Sequence, residues 1–153
     1  MNINEFKTSG EIVSMGIDKI KFYKQTKKWL SSYVFNNQII IKNFDFKNKY
    51  TIVDIKGDFI LLDQQNYNAL TELPEFIKFD KIYGDFILSA RLTTLDRFPE
   101  YVKGNLYISN NNLTELNGLP KQIDKDLFIK SNSKKFNEDE IRSICKVNGN
   151  IYI

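Results

Sequence analysis

Residues 104–120 read GNLYISNNNLTELNGLP, and two phrases from this segment recur from Gly57 onward. The first phrase is usually Gly, then Asp or Asn, then three apolar residues. The second is Leu-Thr-x-Leu, closely followed by Pro. Copies of the first phrase begin 27, 20, 21 and 24 residues apart. A period of about 20–29 residues predicts a solenoid in which each unit supplies one short strand. The copies begin at Gly57, Gly84, Gly104, Lys125 and Gly149.

The third unit also contains an asparagine at an informative position. Its core matches the pattern L-x-L-x-x-N-x-L, with Leu106, Ile108, Asn111 and Leu113 at the named positions. We expect Asn111 to point inward and to satisfy backbone groups that the turn leaves unpaired. Asn132 follows the strand of the fourth unit in a similar way.

This arrangement resembles the short leucine-rich-repeat-like proteins of tailed bacteriophages, and it is also similar to the 20-residue repeats of bacterial effector proteins. The segment from Gly104 to Pro120 carries the resemblance best, and the likeness covers roughly residues 52–153. It implies a short leucine-rich-repeat-like solenoid, in an α+β chain, with a concave sheet face for binding. For function it implies a phage-encoded binder of a host or defence-system protein, which it could inhibit. The matching positions are Leu106, Ile108, Asn111, Leu113, Thr114 and Leu116.

The first fifty residues differ from the rest. Residues 1–50 carry a net charge of +5 and residues 51–153 a net charge of −2. We therefore predict a basic N-terminal α/β cap over 1–50 and a solenoid of four to five units over 51–153. Apolar spacing predicts one or two helices over 11–33, interrupted near Gly16. Two strands around Asn36-Asn37 then form a predicted hairpin, and residues 50–55 form a further strand.

The amino-acid composition excludes several kinds of catalytic site and an intramolecular disulfide. The chain has no histidine and one cysteine, Cys145, so His-based acid–base catalysis, Cys-His pairs and an intramolecular disulfide are excluded. We read Cys145 as a packed core residue and the acids at 138–140 as the first turn of a helix that Asn137 caps. We therefore predict a protein that is not an enzyme and has no metal site and no cofactor.

The middle residue of each strand phrase is apolar or aromatic. In a solenoid that position faces outward, so stacked strands predict one continuous exposed stripe, with acidic and amide residues along one flank. We predict that a partner protein docks on this concave stripe. The alternatives are that the N-terminal cap or a second copy covers it, or that the inward and outward faces of the strands are reversed. The predicted partner-binding residues are Ile60, Ile87, Tyr107, Phe128, Tyr152, Asp85 and Asp126.

A lysine cluster between residues 19 and 28 gives a second candidate. It predicts attraction to nucleic acid or another anionic surface, with aromatic side chains available for stacking. The solvated face of an ordinary helix is the plainer interpretation. A third candidate is a virion or assembly component that associates through the strand at 151–153. The residues of the nucleic-acid alternative are Lys19, Lys21, Lys24, Lys27, Lys28 and Trp29.

Cellular location follows from what the sequence lacks. Residues 1–16 have no apolar core of a signal peptide, and no run of about 18 apolar residues exists. We expect a cytoplasmic protein in a bacterial host, without a membrane partner, as a monomer or homodimer. Nucleic acid is a weaker expectation than a protein partner.

Overall fold

The structure, a computed structural model, describes residues 9–63 and 69–153, with side chains described from residue 14 onward. It is α+β, with a helix near the N-terminus followed by a β-solenoid of about four turns. The described helices are α1 (Ser9–Leu30), a 3-10 turn (Asn36–Gln38) and α2 (Glu138–Arg142). None of them is long and apolar enough to span a membrane.

Each solenoid unit contributes two strands, one to each of two sheets. In the described residues, the first sheet has six strands in the order β1-β2-β4-β6-β8-β10, and the second has five in the order β11-β9-β7-β5-β3. All pairs are parallel except β1 with β2. The strands are β1 (Ile39–Asp45), β2 (Tyr50–Ile55), β3 (Phe59–Leu62), β4 (Ile77–Ile82), β5 (Phe86–Ser89), β6 (Tyr101–Val102), β7 (Leu106–Tyr107), β8 (Gln122–Ile123), β9 (Leu127–Phe128), β10 (Lys146–Val147) and β11 (Ile151–Tyr152).

The expectation of one strand per unit was therefore wrong. The Gly-Asp phrase predicts only the strand that follows it, which belongs to the second sheet. The first-sheet strand lies just before the phrase, and in the last three units it has two residues. Two residues cannot show the alternation of apolar and polar side chains by which a strand is recognised in a sequence.

The core lies between the two sheets and is built from columns of aligned side chains. One column in the second sheet joins Phe59, Phe86, Leu106 and Leu127, all fully buried. The rings of Phe59 and Phe86 stack with centroids 5.0 Å apart. Burying each such side chain contributes about 1.5–3 kcal/mol. These columns bind successive turns together. The first sheet supplies the matching column Ile55, Ile82, Val102, Ile123 and Val147.

Asn111 is the inward asparagine that the repeat pattern predicted. It is 4% exposed, and its Oδ1 accepts hydrogen bonds from the backbone N–H groups of Ala90 (2.9 Å) and Leu92 (3.2 Å). Its Nδ2 donates to the carbonyls of Leu88 (2.9 Å) and Ile108 (3.1 Å). One side chain thus satisfies buried backbone groups of two consecutive units, which confirms the prediction for this residue.

The N-terminal segment packs on the first turn of the solenoid. Helix α1 is continuous through Gly16, so the predicted interruption is wrong; a Cβ added there would meet nothing within 4 Å. Leu30 and Val34 belong to the same buried cluster as the solenoid core. The Trp29 ring lies 5.9 Å from that of Phe59, and Thr26 Oγ1 donates to the Phe76 carbonyl over 3.3 Å.

The predicted hairpin around Asn36-Asn37 is also wrong. Residues 36–38 form the 3-10 turn, and a single strand, β1, pairs antiparallel with β2 across a turn at residues 46–49. That turn has its own local cause. The Asp45 carboxylate accepts from the Asn48 backbone N–H at 2.9 Å, and Lys49 adopts a left-handed conformation with φ of 56°.

Helix α2 begins as predicted. The Asn137 side chain accepts from the Glu140 backbone N–H at 2.8 Å, and the acids at 138–140 occupy the first turn. Acidic side chains at the N-terminus of a helix interact favourably with the helix dipole. Ile141, in the same helix, is buried.

Candidate docking face

The five predicted outward residues lie side by side on the second sheet. The strand register pairs Ile60 with Ile87, Ile87 with Tyr107, Tyr107 with Phe128, and Phe128 with Tyr152. We call this row the outward stripe. It alternates along each strand with buried core residues, which fixes it to the solvent side of the sheet.

Three rings of the outward stripe form a regular stack. The ring centroids of Tyr107 and Phe128 are 4.3 Å apart at 8°, and those of Phe128 and Tyr152 are 4.5 Å apart at 9°. Because the ring faces turn toward one another, the ring edges point away from the sheet. The three side chains remain half-buried. The stack holds its rings in fixed positions, so a partner would meet a preordered apolar surface.

More exposed apolar residues lie next to the outward stripe at the end formed by the first solenoid unit. Ile60 is 44% exposed, and Leu62, two residues along the same face, is 69% exposed. Phe35, at 77% exposure, lines a hollow of about 420 Å³ together with Tyr33 and Ile60. Sequence reasoning missed Phe35 and Leu62, because Phe35 lies outside the repeat and Leu62 ends its strand.

The acidic flank has a structural role that the sequence did not indicate. In each arc between the two sheets, the Asp or Asn side chain accepts the backbone N–H of its counterpart in the next unit. Asp85 Oδ1 accepts from Asn105 N at 2.7 Å, and Asp126 Oδ1 accepts from Asn150 N at 2.8 Å. We call this series the arc ladder; it runs Asp58, Asp85, Asn105, Asp126 and Asn150.

The arc ladder also acts on the outward stripe. Partial burial and the nearby carboxylates of Asp85 and Asp126 raise the pKa of the Tyr107 hydroxyl. On the other side of the stripe, Lys130 Nζ lies 5.9 Å from the centroid of the Tyr152 ring. The face is therefore apolar along its middle, acidic at one flank and basic at one corner.

The outer face of the first sheet has the opposite character. Lys42 forms ion pairs with Asp54 (3.6 Å) and Asp80. Tyr101 Oη donates to Asp124 at 2.6 Å, which lowers the pKa of the Asp124 carboxyl. Polar side chains on this face thus pair with one another across strands, whereas the second sheet presents apolar ones.

The lysine cluster lies on α1. Lys21, Lys24, Lys27 and Lys28 are exposed, while Lys19 places its Nζ 5.4 Å from the Tyr23 ring centroid. Trp29, predicted as a stacking residue, packs on the core, with the rings of Tyr33 and Phe59 at 4.9 and 5.9 Å. Its ring is thus engaged inside the protein.

Cys145 is 2% exposed and belongs to the core. Burial raises the pKa of its thiol from 9.0 to about 11. We expect native protein at pH 8 to react with iodoacetamide about 100-fold more slowly than urea-unfolded protein, because the thiolate fraction falls by that factor. Mass spectrometry of the single cysteine measures both rates.

The same pKa predicts how stability depends on pH. The thiol ionises near pH 9 in the unfolded chain and near pH 11 in the native protein. The free energy of unfolding should therefore be unaffected by this group below about pH 9 and should fall as the pH rises toward 11. A Cys145→Ala variant should lack that part of the pH dependence. For the alkylation experiment, equal rates in native and urea-unfolded protein would contradict a buried thiol.

Within residues 9–63 and 69–153, no group of three or more His, Cys, Asp and Glu side chains is placed to hold a metal ion. Comparison of the whole chain with protein-family models, with curated proteins and with solved structures finds no match.

Proposed function

We propose that this chain is a non-catalytic protein-binding module that docks a partner on the outward stripe of the second sheet. The observation that carries the proposal is the in-register row from Ile60 to Tyr152, with its three stacked rings half exposed. Continuous apolar surface on the outside of a folded protein usually marks an interaction site. The outer face of the first sheet instead carries cross-strand ion pairs and hydrogen bonds, such as those of Lys42 and Tyr101.

The arrangement suits a protein partner in particular. A fixed row of aromatic edges offers apolar contact that Ile87 and Ile60 continue across the sheet. At the far end of this row, Leu62 and Phe35 add exposed apolar surface. Asp85 and Asp126 add negative charge at one flank, so we propose a partner patch with apolar side chains at its centre and a basic rim on that side. Tyr107 and Phe128 are central and aromatic, as binding hot spots usually are.

The repeat type and the biological setting belong to the same proposal. The inward Asn111, with buried Leu92 and Leu113 beside it, supports a leucine-rich-like repeat, and the additional first-sheet strand distinguishes it from the single-sheet form. The resemblance to phage repeat proteins supports a host protein, such as a defence-system component, as the partner that binding would inhibit.

The test replaces the two central rings. We expect Tyr107→Thr with Phe128→Thr to weaken partner binding at least about 100-fold, because each ring is a hot-spot candidate and threonine keeps the strand preference. The partner is first captured from nuclease-treated bacterial lysate and identified by mass spectrometry. It is then purified, and its affinity for each variant is measured by calorimetry.

The matched control lies on the other sheet. Gln122→Thr with Lys146→Thr changes an in-register outward pair of the first sheet and should leave the affinity within about twofold. Thermal melts establish that both variants fold. If the partner binds the ring variant as well as the wild type, the outward stripe is not the docking face.

A further inference from the structure

A second surface, separate from the outward stripe, lies on the solvent side of α1. Ile17 and Ile20 are 61% and 56% exposed there. At about 100° per residue, Lys21, Lys24, Lys27 and Lys28 fall on the same side of the helix, and the acidic Asp18 lies roughly 160° from Ile20. The two isoleucines thus add adjoining exposed apolar surface to a row of lysines.

The structure continues this surface into a groove between α1 and β1. A hollow of about 410 Å³ is lined by Ile20, Tyr23, Lys24, Lys27 and Ile41. A second hollow of about 370 Å³ also has Lys27 in its wall, so the two adjoin. The remaining residues of the second hollow are Lys28, Ser31, Asn36 and Ile39.

The groove carries positive charge that nothing in the described chain balances. Among the residues whose side chains the structure describes, no acidic one lines either hollow. The ion pairs among the described residues use other basic side chains, on the solenoid and on β1, and none engages Lys24, Lys27 or Lys28. A ligand here must bring both negative charge and apolar groups.

The strand beside the groove is an edge. Strand β1 is the first of its sheet, and among the described residues no strand pairs with its outer side. Its backbone groups on that side can receive an extended segment, which would place alternate side chains toward Ile20 and Lys24.

We propose that the groove between α1 and β1 binds an acidic segment of a partner protein that carries aliphatic side chains and lies extended along β1. Aliphatic side chains cover Ile20 and Ile41, and carboxylates pair with Lys24 and Lys27. Nucleic acid fits less well, because phosphates offer nothing apolar to the isoleucines and the Trp29 ring is packed on the core.

The test uses defined probes and fluorescence anisotropy at physiological salt. The main probe, the Glu-Val peptide, is fluorescein-labelled Glu-Glu-Val-Val-Glu-Glu-Val-Val, in which each face of the extended chain carries both residue types. The Glu-Ser peptide has serine in place of valine and the same charge, and a dT12 oligonucleotide represents nucleic acid. We expect the Glu-Val peptide to bind at least tenfold more tightly than the other two. Hydrogen exchange should slow at backbone amides of residues 39–45 when it binds.

Charge-reversal variants locate the site. Lys24→Glu with Lys27→Glu should weaken Glu-Val binding at least tenfold. Lys103→Glu with Lys125→Glu makes the same change of net charge at exposed solenoid positions and should change affinity less than twofold. Tyr107→Thr with Phe128→Thr should leave it unchanged, so this proposal and the docking face are tested independently.

Three results would overturn the proposal. The first is no binding of the Glu-Val peptide up to millimolar concentration. The second is equal binding of the Glu-Val and Glu-Ser peptides, or equal effects of the two charge reversals, which would indicate a diffuse electrostatic attraction. The third is tighter binding of dT12 with the same dependence on Lys24 and Lys27, which would assign the groove to nucleic acid.

Discussion

Replacing Asn111 with alanine is expected to lower the free energy of unfolding by about 4 kcal/mol. The substitution removes the partner of the Ala90 and Leu92 N–H groups and of the Leu88 carbonyl, all of which lie where water does not reach. Each buried polar group left unsatisfied costs about 1–3 kcal/mol. A domain of this size is stable by only about 5–15 kcal/mol, so the loss is a large share of the total.

Urea unfolding followed by circular dichroism measures the loss, and two neighbouring asparagines calibrate it. Asn112→Ala removes an exposed side chain with one long contact, 3.4 Å to the Arg91 carbonyl, and should change stability by less than about 0.5 kcal/mol. Asn132→Ala should fall between the two, because Asn132 makes similar bonds but is only partly buried. Equal effects of all three substitutions would show that Asn111 has no special place in the core.

The parts of the fold that sequence could predict are those in which one residue type repeats at one spacing. The glycine and Asp/Asn phrase predicted the second-sheet strands, and their alternation predicted which side chain faces outward. The register of Tyr107 with Phe128 and Tyr152 follows from that spacing. Asn111 was predictable because a buried amide at that offset has a specific backbone role.

Other features depend on contacts between units that no single unit displays. Asp85 appears in the sequence as an acid on the flank of a strand. Its hydrogen bond to Asn105 exists only because the next turn stacks on this one and brings Asn105 N within 2.7 Å of Asp85 Oδ1. The exposed Phe35 and Leu62 were missed for a related reason: their exposure results from how the cap meets the first turn, and neither lies in a periodic pattern.

The turn at residues 46–49 shows how a local signal can be misread. Asn36-Asn37 has the composition of a hairpin turn, but no strand lies before it in residues 9–35, and β1 follows it. Asp45 and Asn48 hold the actual turn through a side-chain hydrogen bond. Composition alone does not distinguish the two sites, because the choice depends on which segment finds β2 as its partner.

Replacing Gly104 with alanine is expected to lower the free energy of unfolding by about 3 kcal/mol and the Tm by roughly 10 °C. Gly104 does not adopt a left-handed φ, so its requirement is for space. A Cβ at this position would lie 2.5 Å from the Gly84 carbonyl carbon and would also overlap Gly84 O and Asp85 Oδ1. The backbone of the preceding turn cannot move without breaking the 2.9 Å hydrogen bond between Gly104 N and Gly84 O.

The fourth unit supplies the matched control, since Lys125 stands where the other units have glycine. Its arc-ladder bond, from Asp126 N to Asn105 Oδ1, is 3.0 Å long against 2.7–2.8 Å in the other three, so this rung already accommodates a side chain. Lys125→Ala should therefore change stability by less than about 0.5 kcal/mol. Adding Asp85→Ala to Gly104→Ala should not restore stability, because the clash with the Gly84 backbone remains. Rescue by that second substitution would instead identify the carboxylate as the constraint, and it would make the arc ladder, rather than the spacing of successive turns, the reason for glycine in this phrase.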